Sequence, residues 1–326
     1  MRNSLVCGLI LGSWMLGMAE LPGESNDSTA IKATKCSVLS FTGSMLAFMD
    51  NTEYFNDFLD GYLHLGAWFT GRLVYRPVDQ LSFAVGVHLR KAFGDERFLS
   101  EARPVFRASY RAGRFRFTIG EIESSNRHGL PDLFLNEQWT VRHGLEEGLQ
   151  LLYKGEAVHQ DCWAVYDSLN TPGYREHLML GNATFIKRGP LTFMALAYVD
   201  HYGGQEFAPE GDPVRENVVG GLGVRFVHDR EGIPHTLGAE EIGVLSLTSN
   251  DREKYDHQQG GGSYTRLWIT AAGFQTSLMV FKGSQFIAWK GNPLYRARDI
   301  YYYIETRKRI DFSPAAWLEF GLRLDF

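Results

Sequence analysis

At the end of the chain, apolar side chains recur at every second position. From Ala316 to Phe326 every second residue is apolar, while Glu319, Arg323 and Asp325 fall between them. A period of two puts successive side chains on opposite faces of a β-strand. The pattern therefore predicts a final strand with one apolar face and one polar face.

Similar alternation recurs from Val38 onward and predicts an all-β, antiparallel fold. The runs at 38–49 and 285–291 are patterned more weakly than the others, and without them fourteen strands would be predicted instead of sixteen. No stretch after Ala19 approaches roughly 18 uninterrupted apolar residues, which excludes a helical membrane protein. The sixteen predicted strands are 38–49, 63–76, 81–90, 103–112, 114–122, 147–155, 157–167, 177–187, 191–201, 217–228, 237–248, 264–272, 274–282, 285–291, 300–310 and 316–326.

A terminal phenylalanine behind such a strand resembles the C-terminal recognition signal of Gram-negative outer-membrane β-barrels. The resemblance implies a transmembrane antiparallel β-barrel in the cell outer membrane, surrounded by outer-membrane lipid and recognised by the barrel assembly machinery. Bacterial barrels have an even strand number, periplasmic termini, short periplasmic turns and longer external loops. With tight turns such as Ala112-Gly113 in the periplasm, sixteen strands place Phe326 there as well, whereas fourteen do not. The residues assigned to the signal are Phe320, Leu322, Leu324 and Phe326.

The N-terminal segment has the features of a secretory signal peptide. Arg2 is a short basic region, residues 5–16 are apolar, and residues 17–19 form a small-x-small cleavage site. We therefore predict a signal peptide at 1–19, a flexible periplasmic segment at 20–37, where the sequence is polar, and the barrel at 38–326.

Composition narrows the range of ligands. With 38 acidic and 33 basic residues, the net charge of -5 argues against a nucleic-acid partner. Cys36 and Cys162 are the only cysteines after the signal peptide and have no metal-ligand spacing. Because their predicted strands are not neighbours, we expect them to be unpaired. We expect no metal and no cofactor.

Arginines dominate the polar face of the strands between Tyr62 and Ile119. This region has ten Lys and Arg against four Asp and Glu, and the acids are predicted in turns and loops. Charges on the lipid face would each cost about 2–4 kcal/mol near mid-depth, so the arginines should face the lumen. A basic wall favours anions in a water-filled channel. The alternative is that the arginines neutralise acids of a plug or loop. The set comprises Arg72, Arg76, Arg90, Arg103, Arg107, Arg111, Arg114 and Arg116.

The segment 123–146 is long for a barrel connection and has an apolar centre at 130–135. We expect it to fold inward or against the rim of the barrel. An inward loop that faces arginines resembles, in architecture, the constriction of general porins. That resemblance assigns Glu123, Asp132 and Glu137 to the constriction and implies a homotrimer.

Two histidines in this segment, His128 and His143, occur in repeats of Arg-His-Gly-Leu. They could form a metal or proton-handling pair, although zinc sites normally have three or four protein ligands. Chance or symmetric anchoring of the loop is the favoured interpretation.

An enzymatic barrel needs a nucleophile within reach of a base. The sequence has no serine-histidine pair at adjacent outward positions and no Gly-x-Ser-x-Gly elbow, so we predict that the chain is not an enzyme. The predicted function is a porin-like channel for small hydrophilic, and by its arginines anionic, solutes. A closed structural or adhesive barrel and an outer-membrane lipid-modifying enzyme stay open as alternatives.

Overall fold

The structure is a computed structural model that describes residues 8–11, 14–18, 38–53, 59–124, 127–139, 144–204, 206, 211–229, 235–297 and 299–326. The chain divides into two units. The first comprises Met1–Arg111, Ile269–Ser277 and Tyr303–Phe326, and the second comprises Ala112–Trp268 and Leu278–Tyr302.

Nearly all regular structure in the described residues is β-strand, which confirms the predicted all-β antiparallel fold class. The strands are β1 Gly8–Leu11, β2 Trp14–Met18, β3 Val38–Glu53, β4 Tyr62–Val78, β5 Leu81–Ala92, β6 Glu101–Ala112, β7 Phe115–Glu121, β8 Glu147–Lys154, β9 Val158–Ser168, β10 Glu176–Arg188, β11 Leu191–Gly203, β12 Arg215–Asp229, β13 His235–Ser249, β14 Gln258–Ala271, β15 Phe274–Ser284, β16 Ile300–Ser313 and β17 Ala316–Asp325.

In the first unit, β3 to β6 pair antiparallel in chain order, and β16 pairs with β17. The predicted alternation is present: Phe69 and Leu73 of β4 are exposed, whereas Thr70 is buried. On the polar face of β17, buried Arg323 donates from Nε to Asp325 Oδ1 at 2.8 Å. Exposed apolar and buried polar side chains are the arrangement of a strand that faces lipid on one side.

The short strands β1 and β2 lie within the predicted signal peptide. Their backbones pair with β17 and β3. Cleavage after Ala19 stays a prediction, and the segment 20–37 lies outside the described residues.

In the second unit, β7 to β13 also pair antiparallel in chain order. Two connections of this unit are structured. We call residues 122–146, between β7 and β8, the inner loop, and residues 285–299, between β15 and β16, the strap. The inner loop contains a 3-10 turn at Arg127–Gly129, and the strap contains a short helix, α1, at Leu294–Ala297.

The predicted strand at 285–291 is wrong, because this part of the strap has no strand pairing in the described structure. The alternating apolar positions Phe286 and Ala288 are buried, but the backbone nitrogens of Ile287 and Trp289 donate to the side chains of Ser246 and Asn217. Among the described residues, no helix is long and apolar enough to cross a membrane.

Candidate functional site

His128 lies at the start of the inner loop on an unusual backbone. Arg127, His128 and Gly129 have φ angles of 53°, 55° and 74° in succession. Residues other than glycine adopt this left-handed region at a cost, and such strain persists where the surrounding structure imposes it, often at functional sites. The conformation turns the His128 side chain into the interior of the second unit, where it is fully buried.

The His128 imidazole lies between two buried carboxylates. Nδ1 lies 2.8 Å from Asp161 Oδ2, and Nε2 lies 2.9 Å from Glu146 Oε2. The ring stacks on Trp163 at 3.8 Å between centroids. Trp139 Nε1 donates to the second oxygen of Glu146 at 2.7 Å. We call His128 with these four residues the His128 centre.

Charge balance favours the imidazolium form of His128. Burial opposes a charge on the ring, but the hydrogen bonds that the ring makes to the carboxylates of Asp161 and Glu146 outweigh it and raise the pKa of His128 to about 9. At neutral pH both ring nitrogens therefore carry protons and donate to the carboxylates. The group is a buried proton donor whose orientation is set from both sides.

Gln150 of β8 connects the His128 centre to the start of the inner loop. Its Nε2 donates to Asp161 Oδ1 at 2.9 Å and to the Glu123 carbonyl oxygen at 2.9 Å. The Glu123 backbone nitrogen in turn donates to Gln150 Oε1 at 2.9 Å. The same side chain therefore orients the carboxylate and anchors the loop that carries the histidine.

The apolar centre of the inner loop packs into the second unit. Leu133 and Phe134 are fully buried. Gly221 of β12 makes room for Phe134, because a Cβ there would lie 2.9 Å from the ring. Asp132 accepts a hydrogen bond from the Tyr295 hydroxyl of the strap at 2.7 Å. These contacts show that the centre of the loop is buried against the second unit, as expected for a loop that folds inward or against the rim.

A second histidine, His177 of β10, repeats the arrangement. Its Nδ1 lies 2.8 Å from Asp167 Oδ2, its Nε2 is hydrogen-bonded to Asp200, and its ring stacks on Tyr202 at 4.1 Å. A cavity of about 300 Å³ lies beside this group, lined by Asp200, Tyr202, Arg215, Asn250, Trp289 and Lys290. We call it the strap cavity, since the strap supplies Trp289 and Lys290.

Lys290 links the two histidine groups. Its Nζ lies 5.0 Å from the centroid of the Trp139 ring and 4.0 Å from Asp200 Oδ2. Trp139 belongs to the His128 centre, and Asp200 is bonded to His177. A continuous path of polar and aromatic contacts therefore joins the buried imidazolium to the cavity.

The predicted arginines lie on the polar faces of their strands, except for Arg114 in the turn between β6 and β7, and several are paired with acids. Arg90 and Arg103 lie 3.9 and 2.7 Å from Glu101, which belongs to β6 and not to a loop as expected. Arg114 lies 2.9 Å from Glu156, and Arg116 pairs with Glu123. Arg72 is buried and donates to Ser44, Arg107 is half-buried, and Arg76 and Arg111 are exposed.

The three acids assigned to a constriction have different contact partners. Asp132 is buried against Tyr295, as described above. Glu123 pairs with Arg116 and lies 3.8 Å from Lys154, whereas Glu137 lies 3.7 Å from Arg127. Both the basic wall and the constriction stay predictions.

Two other sequence interpretations concern residues around this site. His143 lies outside the described residues, so its pairing with His128 stays a hypothesis. Among the described residues, no group of three or more potential ligands is arranged to hold a metal ion. Cys162 is not in a disulfide and donates to Asn182 Oδ1 at 3.1 Å, while Cys36 lies outside the described residues.

Two solved structures are similar to this chain over nearly its whole length. OpdL of Pseudomonas aeruginosa has a TM-score of 0.50 and 9% identity, over 99% of this chain and 98% of that chain. The anion-selective porin of Comamonas acidovorans has a TM-score of 0.49 and 10% identity, over 98% of each chain. The likeness to OpdL shows the fold, that of an outer-membrane β-barrel. No curated protein sequence is detectably similar.

The family comparison decides the class of protein. The sequence model of the lipid A 3'-O-deacylase-type family matches residues 31–316. The chain belongs to this family. The prediction that the chain is not an enzyme is therefore wrong, since the family is defined by an enzymatic activity.

The error has a physical cause. The prediction depended on the absence of a serine and a histidine at neighbouring outward positions, whereas a group such as the His128 centre is built from a loop histidine and inward or loop carboxylates. Asp161 and Glu146 lie 33 and 18 residues from His128 along the chain. A site assembled from separate strands and a loop leaves no short motif. The sequence feature that pointed to this group was a histidine, His128, next to the apolar centre of a long loop.

Proposed function

We propose that this protein is an outer-membrane hydrolase that removes an ester-linked acyl chain from lipid A. The match of residues 31–316 to the lipid A 3'-O-deacylase-type family carries the proposal. The outer-membrane fold supports it, because lipid A is a lipid of that membrane.

Ester hydrolysis consumes one water, breaks the bond between the acyl carbon and the sugar oxygen, and releases a carboxylic acid and an alcohol. The leaving oxygen must gain a proton, and a positioned acid that supplies it typically contributes about 10²–10⁴-fold in rate. We assign this proton to His128, which is charged at neutral pH and oriented by Asp161. Donation to substrate requires the hydrogen bond between His128 Nε2 and Glu146 to open, while Asp161 keeps hold of Nδ1.

The first test is lipid A deacylation by the refolded, full-length protein, followed by mass spectrometry of the lipid and of the released acid. We expect the loss of one ester-linked chain. We expect His128→Asn to lower the rate by about 10²–10⁴-fold and the rate of the unaltered protein to fall as the pH rises through about 9.

His228→Asn is the matched control, since His228 is exposed on β12 and should keep the full rate. Folding of each variant is checked by its resistance to SDS at room temperature. Full activity in folded His128→Asn contradicts the role of this histidine, and the absence of any released acid from the unaltered protein contradicts the proposed function.

Passage of small hydrophilic solutes, a bias toward anions and trimeric association stay predictions. The ion pairs of Arg90, Arg103, Arg114 and Arg116 with glutamates are the arrangement expected if these arginines neutralise acids.

A further inference from the structure

The strap cavity lies where three strands of the second unit end. Asp200 and Tyr202 are near the end of β11, Arg215 begins β12, and Asn250 follows β13. The connections that leave these strand ends, 202–216 and 249–263, are much longer than the tight turns such as Ala112-Gly113, and the longer connections of a bacterial barrel are its external loops. In that orientation the cavity lies toward the side of the membrane where the headgroup of lipid A lies.

The strap is fixed over these strand ends by specific hydrogen bonds. Asn217 Nδ2 donates to the Ile287 carbonyl oxygen at 2.8 Å, and Trp289 N donates to Asn217 Oδ1 at 2.9 Å. Ile287 N donates to Ser246 Oγ at 3.0 Å. On its other side, the Lys290 carbonyl oxygen accepts from Asn136 N of the inner loop at 2.7 Å. Trp289 and Lys290 are therefore held in place at the cavity before any ligand binds.

The cavity retains polar atoms whose hydrogen-bonding capacity is unused. Asp200 is completely buried, and its Oδ2 has no hydrogen-bond partner among the described residues. The same is true of Arg215 Nε, although the guanidinium lies 4.9 Å from the Tyr202 ring and 3.6 Å from Asp212. Lys290 Nζ lies 4.0 Å from Asp200 Oδ2, which is an ion pair too long for a hydrogen bond. Buried polar atoms that lack a hydrogen bond are costly, so their presence around a cavity indicates a ligand that supplies the missing bonds.

The lining matches the chemistry of a phosphorylated sugar. Arg215 and Lys290 are cations suited to an anionic phosphate. Asp200 and Asn250 can bond sugar hydroxyl or amino groups, and the ring of Trp289, 6.0 Å from that of Tyr202, offers an apolar face to a sugar ring. A volume of about 300 Å³ is at the small end of ligand pockets. It suits one sugar residue and not an acyl chain.

We propose that the strap cavity is a headgroup subsite that binds a phosphorylated amino sugar, with Arg215 and Lys290 on the phosphate and Asp200 on the sugar. The proposal rests on the proposed function and deepens it by separating headgroup recognition from the His128 centre.

The test is calorimetric binding of glucosamine 1-phosphate to the refolded, full-length protein, which needs no hydrolysis. We expect binding that weakens on the order of tenfold or more in each of Arg215→Gln and Lys290→Gln. The control is Lys187→Gln with Arg188→Gln, which removes two exposed charges at the far end of β10 and should leave the affinity unchanged. Trp289→Leu should weaken glucosamine 1-phosphate but not inorganic phosphate.

Several outcomes overturn the subsite. These are no binding to the unaltered protein, equal affinity in the folded Arg215→Gln and Lys290→Gln variants, or inorganic phosphate binding as tightly as the sugar phosphate. Deacylation measured in parallel separates the two proposals. If acyl release continues and the sugar phosphate does not bind, only the subsite fails, and if binding follows the expected pattern without acyl release, only the proposed reaction fails.

Discussion

At the scale of single residues, the protonation of the His128 imidazole is coupled to the anchoring of the inner loop, because the protonated ring bonds to Asp161 of β9. Its folded pKa of about 9 exceeds the ordinary value of 6.5, so the folded state binds a proton that the unfolded state releases between these values. The resulting stabilisation is complete below pH 6.5 and is lost as the pH rises through about 9.

We therefore expect the free energy of unfolding to fall by about 1.4 kcal/mol per pH unit between pH 6.5 and 9 and to level off above that range. Urea unfolding in lipid vesicles, followed by tryptophan fluorescence at several pH values, measures this slope. His128→Asn should remove it and His228→Asn should keep it. An unchanged slope in His128→Asn would show that another group titrates.

At the scale of elements, the inner loop depends on a glycine of the strand behind it. Gly221 lies on β12, and a Cβ there would lie 2.9 Å from Phe134 and 3.1 Å from Ile242, both fully buried. A side chain at this position has to displace a packed ring, whereas a Cβ at Gly243 on the neighbouring β13 meets nothing within 4 Å.

We expect Gly221→Ala to destabilise the protein by about 1–3 kcal/mol, the usual cost of overpacking, and Gly243→Ala to be close to neutral. Urea midpoints of the two variants give the comparison. Limited proteolysis of the inner loop should also become faster in Gly221→Ala alone. Equal stability of the two variants would mean that Phe134 does not need the space.

At the scale of the whole molecule, the sequence predicts a second role for β17, in the assembly of the barrel. The alternation from Trp317 to Phe326 resembles an assembly signal, and Phe326 is its final residue. We expect deletion of Phe326 to lower the amount of protein assembled in the outer membrane and to leave unfolded chain in the periplasm. Membrane fractionation measures both. Phe98→Ala, which changes an exposed loop residue, is the control, and normal assembly without Phe326 would refute the signal.

The sequence by itself determined the strand pattern, because lipid on one side and polar groups on the other impose a period of two on each strand regardless of its neighbours. Leu73 and Arg72, for example, were placed on opposite faces, and the structure has one exposed and the other buried. The burial of the centre of the inner loop also followed from the sequence, since the apolar side chains of Leu133 and Phe134 could not stay in water.

Only the tertiary structure decided what the interior contains. The strap was predicted as a strand, because its apolar positions alternate, and its backbone hydrogen bonds to Asn217 and Ser246 could not be read from that pattern. The pairing of His128 with Asp161 and Glu146, and of Lys290 with Asp200, depends on which strand ends and loops meet. Chemical sites built across strands depend on contacts between residues far apart in the chain, and an alternating pattern carries no information about such contacts.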